Sequence, residues 1–214
     1  MSRTSTLPKR LQPMLATLTD GPFDDAGWVF EDKYDGFRMV AKIDGGKVTL
    51  YSRNGKIISH NYIEVAKALE GVRGDAVIDG ELVAIDSSGV SHFQLLQNAL
   101  RNKARLQYRA FDLMFQDGED LRGLALTERK NRLKAILPKH KLVAYSRHRV
   151  ASGTKFFEEA ERKGLEGIMA NARTANTCQA RVQITGSRSK HRNGRRLSSP
   201  ASLPQDGHGP ISGR

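Results

Sequence analysis

Cysteine is nearly absent from these 214 residues. Cys178 stands alone, so no disulfide can form within the chain, and a reducing compartment suits it. Long apolar runs are missing as well. Nothing approaches the roughly 20 apolar residues that span a bilayer, and no run of signal-peptide length follows MSRTSTLPKR. The expectation is a cytoplasmic chain with no membrane partner. Hydrophobic residues make up 38%, below the usual globular share, so part of the chain contributes little to a core. The six histidines show no metal-ligand spacing, and none is assigned to a metal.

Aromatic residues are missing from one end. All 14 Phe, Trp and Tyr precede residue 171. Residues 171–214 hold eight Lys and Arg against one acidic residue, Asp206, so seven of the twelve net positive charges sit there. That segment has no sustained period of 2 or 3.6 and cannot bury enough apolar surface to offset its ordering entropy. It is expected to be a disordered basic tail after a folded domain over residues 1–170. The net charge favours a polyanionic partner such as nucleic acid, but the first 170 residues are only mildly basic.

Within 1–170 the pattern is α+β. Residues 1–27 are broken by Pro8, Pro13, Gly21 and Pro22. WVFE, FRMVAKI and KVTLYSR read as strands, with Asp35-Gly36 and Gly45-Gly46 suited to tight turns. Residues 60–71 place Ile63, Val65, Ala66 and Leu69 at helical spacing. AVIDGELVAID, LQYRAFDLMF, KLVAYSRH and EGIMA read as further strands, and SHFQLLQNAL, 119–137 and TKFFEEAERKG as helices. Meandering strands without regular βαβ units predict antiparallel sheets flanked by helices.

The chemistry concentrates in Glu31-Asp32-Lys33-Tyr34-Asp35-Gly36-Phe37-Arg38. By composition a K-x-D-G string arises by chance in roughly one chain of this size in twenty, so alone it would be an exposed lysine beside a turn. Four further strings follow in order: Ser52-Arg53-Asn54-Gly55, Asp79-Gly80-Glu81, Tyr108-Arg109-Ala110-Phe111-Asp112 and Glu166-Gly167-Ile168-Met169-Ala170. In order and spacing they resemble motifs I, Ia, III, IIIa and IV of the covalent nucleotidyltransferases. With Pro13-Met14-Leu15-Ala16 upstream, the chain is most similar to the bacterial end-joining class of ATP-dependent DNA ligases.

The resemblance implies a nucleotidyltransferase (ATP-grasp-like) core, ATP and Mg²⁺ or Mn²⁺ as cofactors, and nicked double-stranded DNA as substrate. It implies a monomer working near the nucleoid with end-joining repair proteins. Lys33 would be the nucleophile that carries AMP. Glu31 would recognise the adenine and Phe111 would stack on it. Arg38 and Arg53 would contact the AMP or the nick phosphate, Glu81 the ribose or a metal-bound water, and Glu166 the divalent cation, with Glu81 as its second carboxylate. Asp35 and Gly36 would be structural, the one capping a turn that the other permits. Each role has a plainer counterpart: Phe111 beside Leu113 and Met114 as core, Glu81 and Glu166 as solvated strand-end charges, Arg53 as a surface residue.

The resemblance stops after Ala170. Family members continue with a lysine, a W-L-K-I-K-like motif V and an OB-fold domain; here Asn171 follows, and the expectation is that the OB-fold is missing. Read in the neighbouring frame, Gly186-Ser187-Arg188-Ser189-Lys190 can give W-L-K-I-K, so residues from about 171 are expected to be out of frame and activity impaired. Two alternatives stay open: an RNA-ligase or capping-type nucleotidyltransferase, and a dead scaffold that only binds nucleotide or DNA.

Overall fold

The structure is a computed structural model that describes residues 17–19, 21–97, 105–174 and 181–185. Its strands are β1 (Thr17–Leu18), β2 (Asp24–Asp32), β3 (Phe37–Asp44), β4 (Lys47–Ser52), β5 (Ala76–Ile85) and β6 (Arg105–Gln116). They continue with β7 (Glu119–Asp120), β8 (Val143–Tyr145), β9 (His148–Ser152), β10 (Gly167–Ala172) and β11 (Arg181–Thr185). The helices are α1 (Ile63–Leu69), α2 (Phe93–Gln97), α3 (Leu126–Ile136) and α4 (Gly153–Arg162). No helix among the described residues is long and apolar enough to cross a membrane.

Alternation builds the larger sheet, ordered β4-β3-β5-β6-β7 with β8 also on β6. Met39, Ala41 and Ile43 of β3 point to one side and meet Leu50, Ile78, Tyr108 and Leu113 from its neighbours. Helices α1 and α3 close this core with Val65, Leu69, Leu133 and Ile136. Strand β5 is buried along almost its whole length, as a central strand with both faces covered should be. The smaller sheet runs β1-β11-β10-β2-β9. Phe156 and Ala160 of α4 pack there on Phe30, Ile168, Ala170 and Ile184. Apart from the parallel pairs β1–β11 and β6–β8, every strand pair is antiparallel.

Several sequence expectations need correction. Gly45 and Gly46 do form a hairpin turn, with φ of 55° and 80°. Asp35-Gly36 does not, because β2 and β3 belong to different sheets and the segment between them is a crossing. Gly36 is required by closeness rather than by a turn. A Cβ there would collide with the Leu82 carbonyl and lie 2.9 Å from Val83 Cγ1. Asp35 caps no turn of its own: its carboxylate accepts the Phe93 amide at the start of α2, 3.0 Å away.

The helix expected over 119–137 begins only at Leu126. Asp117 and Gly118, both at positive φ, turn the chain so that Glu119–Asp120 pairs back onto β6. KLVAYSRH divides between the sheets, β8 joining β6 and β9 joining β2. Past residue 170, β10 runs on to Ala172 and pairs with β11, inside the segment read as an unstructured tail. Pro13-Met14-Leu15-Ala16 and the end of the helix expected over 91–100 lie outside the described residues.

Candidate functional site

Lys33 follows β2, on the crossing between the two sheets. Its amide donates to the Gly167 carbonyl at 3.0 Å, and its ammonium pairs with Glu166, just before β10. The lysine side chain is 15% exposed, open enough for a ligand to reach yet held in place. Motif I and motif IV therefore meet through main chain and side chain together. The next residue, Tyr34, is half-buried, and loss of water around its hydroxyl pushes its phenol up to about 12; the Arg109 guanidinium, 5.4 Å from its ring centroid, opposes that shift.

Two residues before Lys33, Glu31 is 5% exposed. Lys130 Nζ donates to its Oε1 at 2.6 Å, and Asn171 Nδ2 to its Oε2 at 3.0 Å. Lys130 is wholly buried and also donates to the Phe111 carbonyl at 2.7 Å. Asp32, on the opposite face of β2, pairs with Arg147 at 3.0 Å.

The larger sheet supplies the other wall. Its register sets Arg38 of β3 beside Glu81 of β5, and Glu81 beside Arg109 of β6. Arg38 grips Asp79 with two hydrogen bonds of 2.6 Å, and its guanidinium lies 4.4 Å from the Phe111 ring centroid. Burial works against the Arg38 charge, but Asp79 more than offsets it. Phe111 is a bulge residue: Gly80 faces Ala110 and Asp79 faces Asp112, which makes Phe111 the extra residue of β6 at that point of the register. Bulges of this kind re-aim a side chain beside an active site. A base stacking on Phe111 has to use the opposite face or displace Arg38. Gly80 lets Tyr108 cross beneath; a Cβ there would stand 2.5 Å from Tyr108 Cζ.

Lys33, Glu31, Glu166, Arg38, Glu81 and Phe111 are thus on neighbouring strands and their connections, tied by shared contacts. Arg53 is exposed on the turn after β4 and has no hydrogen bond or ion pair to them among the described residues. No group of three or more His, Cys, Asp or Glu among the described residues could cage a metal. Glu81 and Glu166 offer carboxylate oxygen, which suits Mg²⁺ held by one or two carboxylates with phosphate and water as its other ligands.

Sequence reasoning quoted Asp79 and Arg109 in their strings without giving either a role, and it missed Arg129 and Lys130. The last two left a legible signal. Leu126, Arg129, Lys130, Leu133 and Ile136 occupy the spacing of an inward helical stripe, yet two of the five are cations. A cation on such a stripe needs a buried acceptor, and Asp112 and Glu31 are those acceptors.

The model of the ATP-dependent DNA ligase domain matches residues 13–182. The chain belongs to that family. Among curated ligase relatives, the multifunctional non-homologous end joining protein LigD of Pseudomonas aeruginosa is 40% identical over 134 residues, 61% of this chain and 16% of that protein. The LigD protein of Mycobacterium tuberculosis is 32% identical over 185 residues, 86% of this chain and 24% of its own length. The chain therefore spans a quarter or less of these relatives. A solved mycobacterial DNA ligase D complexed with ATP and MES superimposes with a TM-score of 0.73 at 30% identity, covering 82% of this chain and 60% of that one. The fold and the ligase family agree with the expectation from the five ordered motifs.

Proposed function

We propose that this chain performs nucleotidyl transfer for DNA ligation, with Lys33 as the nucleophile. The observation that carries the reading is the placement of Lys33, tied to Gly167 and Glu166 and two residues from Glu31, which Lys130 joins to Phe111. The neutral Lys33 amine attacks the α-phosphorus of ATP. An N–P bond forms, the bond to the pyrophosphate oxygen breaks, and the amine proton is lost to solvent. The AMP then passes to the 5′-phosphate of a nick, and the 3′-hydroxyl displaces it as the strand is sealed. Each step is an in-line displacement in which positioning and charge stabilisation dominate.

A lysine, ordinarily protonated up to about pH 10.4, must give up its proton before attack. Its ion pair with Glu166 must therefore be broken first. Glu166 and Glu81 would hold Mg²⁺, whose charge would neutralise the phosphate oxygens and compete with Lys33 for Glu166. Arg38 is held by Asp79 at the start of β3, close to the crossing that carries Lys33, where it can meet a phosphate or ribose. Glu31 keeps lone pairs for the adenine amine, because each oxygen accepts only one described hydrogen bond. Asn171 brings an amide rather than a cation, which supports a slowed first step. Arg53 would engage a phosphate of the nick, and the substrate would be nicked double-stranded DNA met by a monomer in end-joining repair. The folded unit, placed at 1–170 from sequence, we extend through β11.

Incubation with α-labelled ATP and Mg²⁺ tests the proposal. Label is expected on the parent chain and absent from Lys33→Ala. Equal labelling of both, or a parent labelled by GTP in preference to ATP, would refute it.

A further inference from the structure

We infer that Lys130 is a positioning residue that makes the site select a purine with an amino group at position 6. The inference rests on the reading of the Lys33 site as an ATP site. Lys130 hydrogen bonds to both walls expected to touch the base: it holds the Glu31 carboxylate at 2.6 Å and the carbonyl of Phe111 at 2.7 Å. The Phe111 carbonyl belongs to the bulge that re-aims the ring.

Packing alone does not require this lysine. Its neighbour Arg129 already fastens α3 to β6, with two hydrogen bonds to Asp112 at 2.8 and 3.0 Å and another to the Leu124 carbonyl. A second buried cation on the same helical turn carries a further desolvation cost. Burying it makes sense where its charge has a directed use. Paired with Lys130, Glu31 is a carboxylate that accepts and cannot donate. Asn171 holds the other oxygen at 3.0 Å, so the carboxylate plane cannot rotate to suit a different base. An amine at position 6 donates to such a group. A 6-oxo purine presents a carbonyl there, and two acceptors repel.

The test measures ATP and ITP affinity calorimetrically on the full chain, for the parent, Lys130→Met, Glu31→Gln and the double variant. The parent is expected to prefer ATP. Lys130→Met should lower the ATP:ITP preference by about tenfold to a hundredfold, the range of one charge-assisted hydrogen bond. In the Glu31→Gln background the same change should alter the ratio less than twofold, since Lys130 acts through Glu31. That comparison survives even where Lys130→Met alone fails to fold, because the double variant leaves no unpaired charge in the core. An equal loss of ATP and ITP affinity in Lys130→Met, with the ratio unchanged, would reduce Lys130 to a structural ion pair and overturn the inference. Comparable ratio losses in both backgrounds, or a parent that binds ATP and ITP alike or neither, would overturn it too. Absence of covalent label with the affinity pattern intact would instead refute the ligation reading and leave this one standing.

Discussion

Replacing Gly36 by alanine probes the crossing between the sheets. The added methyl would run into the Leu82 carbonyl, with Val83 Cγ1 at 2.9 Å and Glu81 Cγ at 3.1 Å. The carbonyl cannot swing aside, because Leu82 is paired with Phe37 on one side and Tyr108 on the other. Overpacking costs about 1–3 kcal/mol when side chains can adjust, and a backbone obstacle puts this case near the top, at about 3 kcal/mol. For a chain of this size each kcal/mol lowers the melting temperature by roughly 2–4 °C, so Gly36→Ala should melt about 6–12 °C below the parent. The relief available is a shift of the 33–36 segment, and a misplacement of about 1 Å costs on the order of 10²-fold in rate. Labelling at Lys33 should therefore fall by about that factor. Gly123→Ala is the control: nothing lies within 4 Å of its Cβ position, so its stability should stay within about 0.5 kcal/mol. Melting followed by circular dichroism, with label incorporation measured well below the transition, separates the two effects. A Gly36→Ala chain that melts within about 2 °C of the parent would show that the glycine answers no steric need.

Three further outcomes follow from the site. Arg38→Met should destabilise by about 3–5 kcal/mol by leaving Asp79 buried without its partner; adding Asp79→Leu should recover most of that loss in thermal melts, and a double variant no better than the single would refute the pairing. His148 lies among Tyr145, Lys130, Lys134 and Glu31 on a half-buried edge, and burial followed by the Lys130 charge lowers its pKa below 6.5. The unfolded chain then takes up the proton first, so stability should decline as pH falls from about 6.5 through the folded value and level off below it; a His148→Gln chain showing the same slope between about pH 7 and 5 would assign the slope elsewhere. A chain restored to the neighbouring reading frame from codon 171 should gain about 10²–10³ in the rate of labelling, the usual worth of a preorganised phosphate contact, and no gain would refute the out-of-frame reading.

Much of the local structure was legible because alternation and breakers act over a few residues. FRMVAKI, KVTLYSR and AVIDGELVAID became β3, β4 and β5 with small changes at their ends, and Gly45-Gly46 became the turn it resembled. The five ordered strings pointed to the family and to Lys33, since the chemistry of each string is carried by residues close in sequence. Partnership across the chain was not legible. Period 2 tells which face of a strand is buried and not which strand lies beside it, so Asp35-Gly36 passed for a hairpin when it joins two sheets. Arg38 could not be seen to need Asp79, 41 residues away, nor Glu31 to need Lys130, 99 residues away. A buried charge is tolerable only beside its counter-charge, and that counter-charge is placed by the tertiary fold. Sequence alone determined most of the strands and the Gly45-Gly46 turn, and it singled out Lys33; packing decided which carboxylate each buried cation serves, and so the shape of the site.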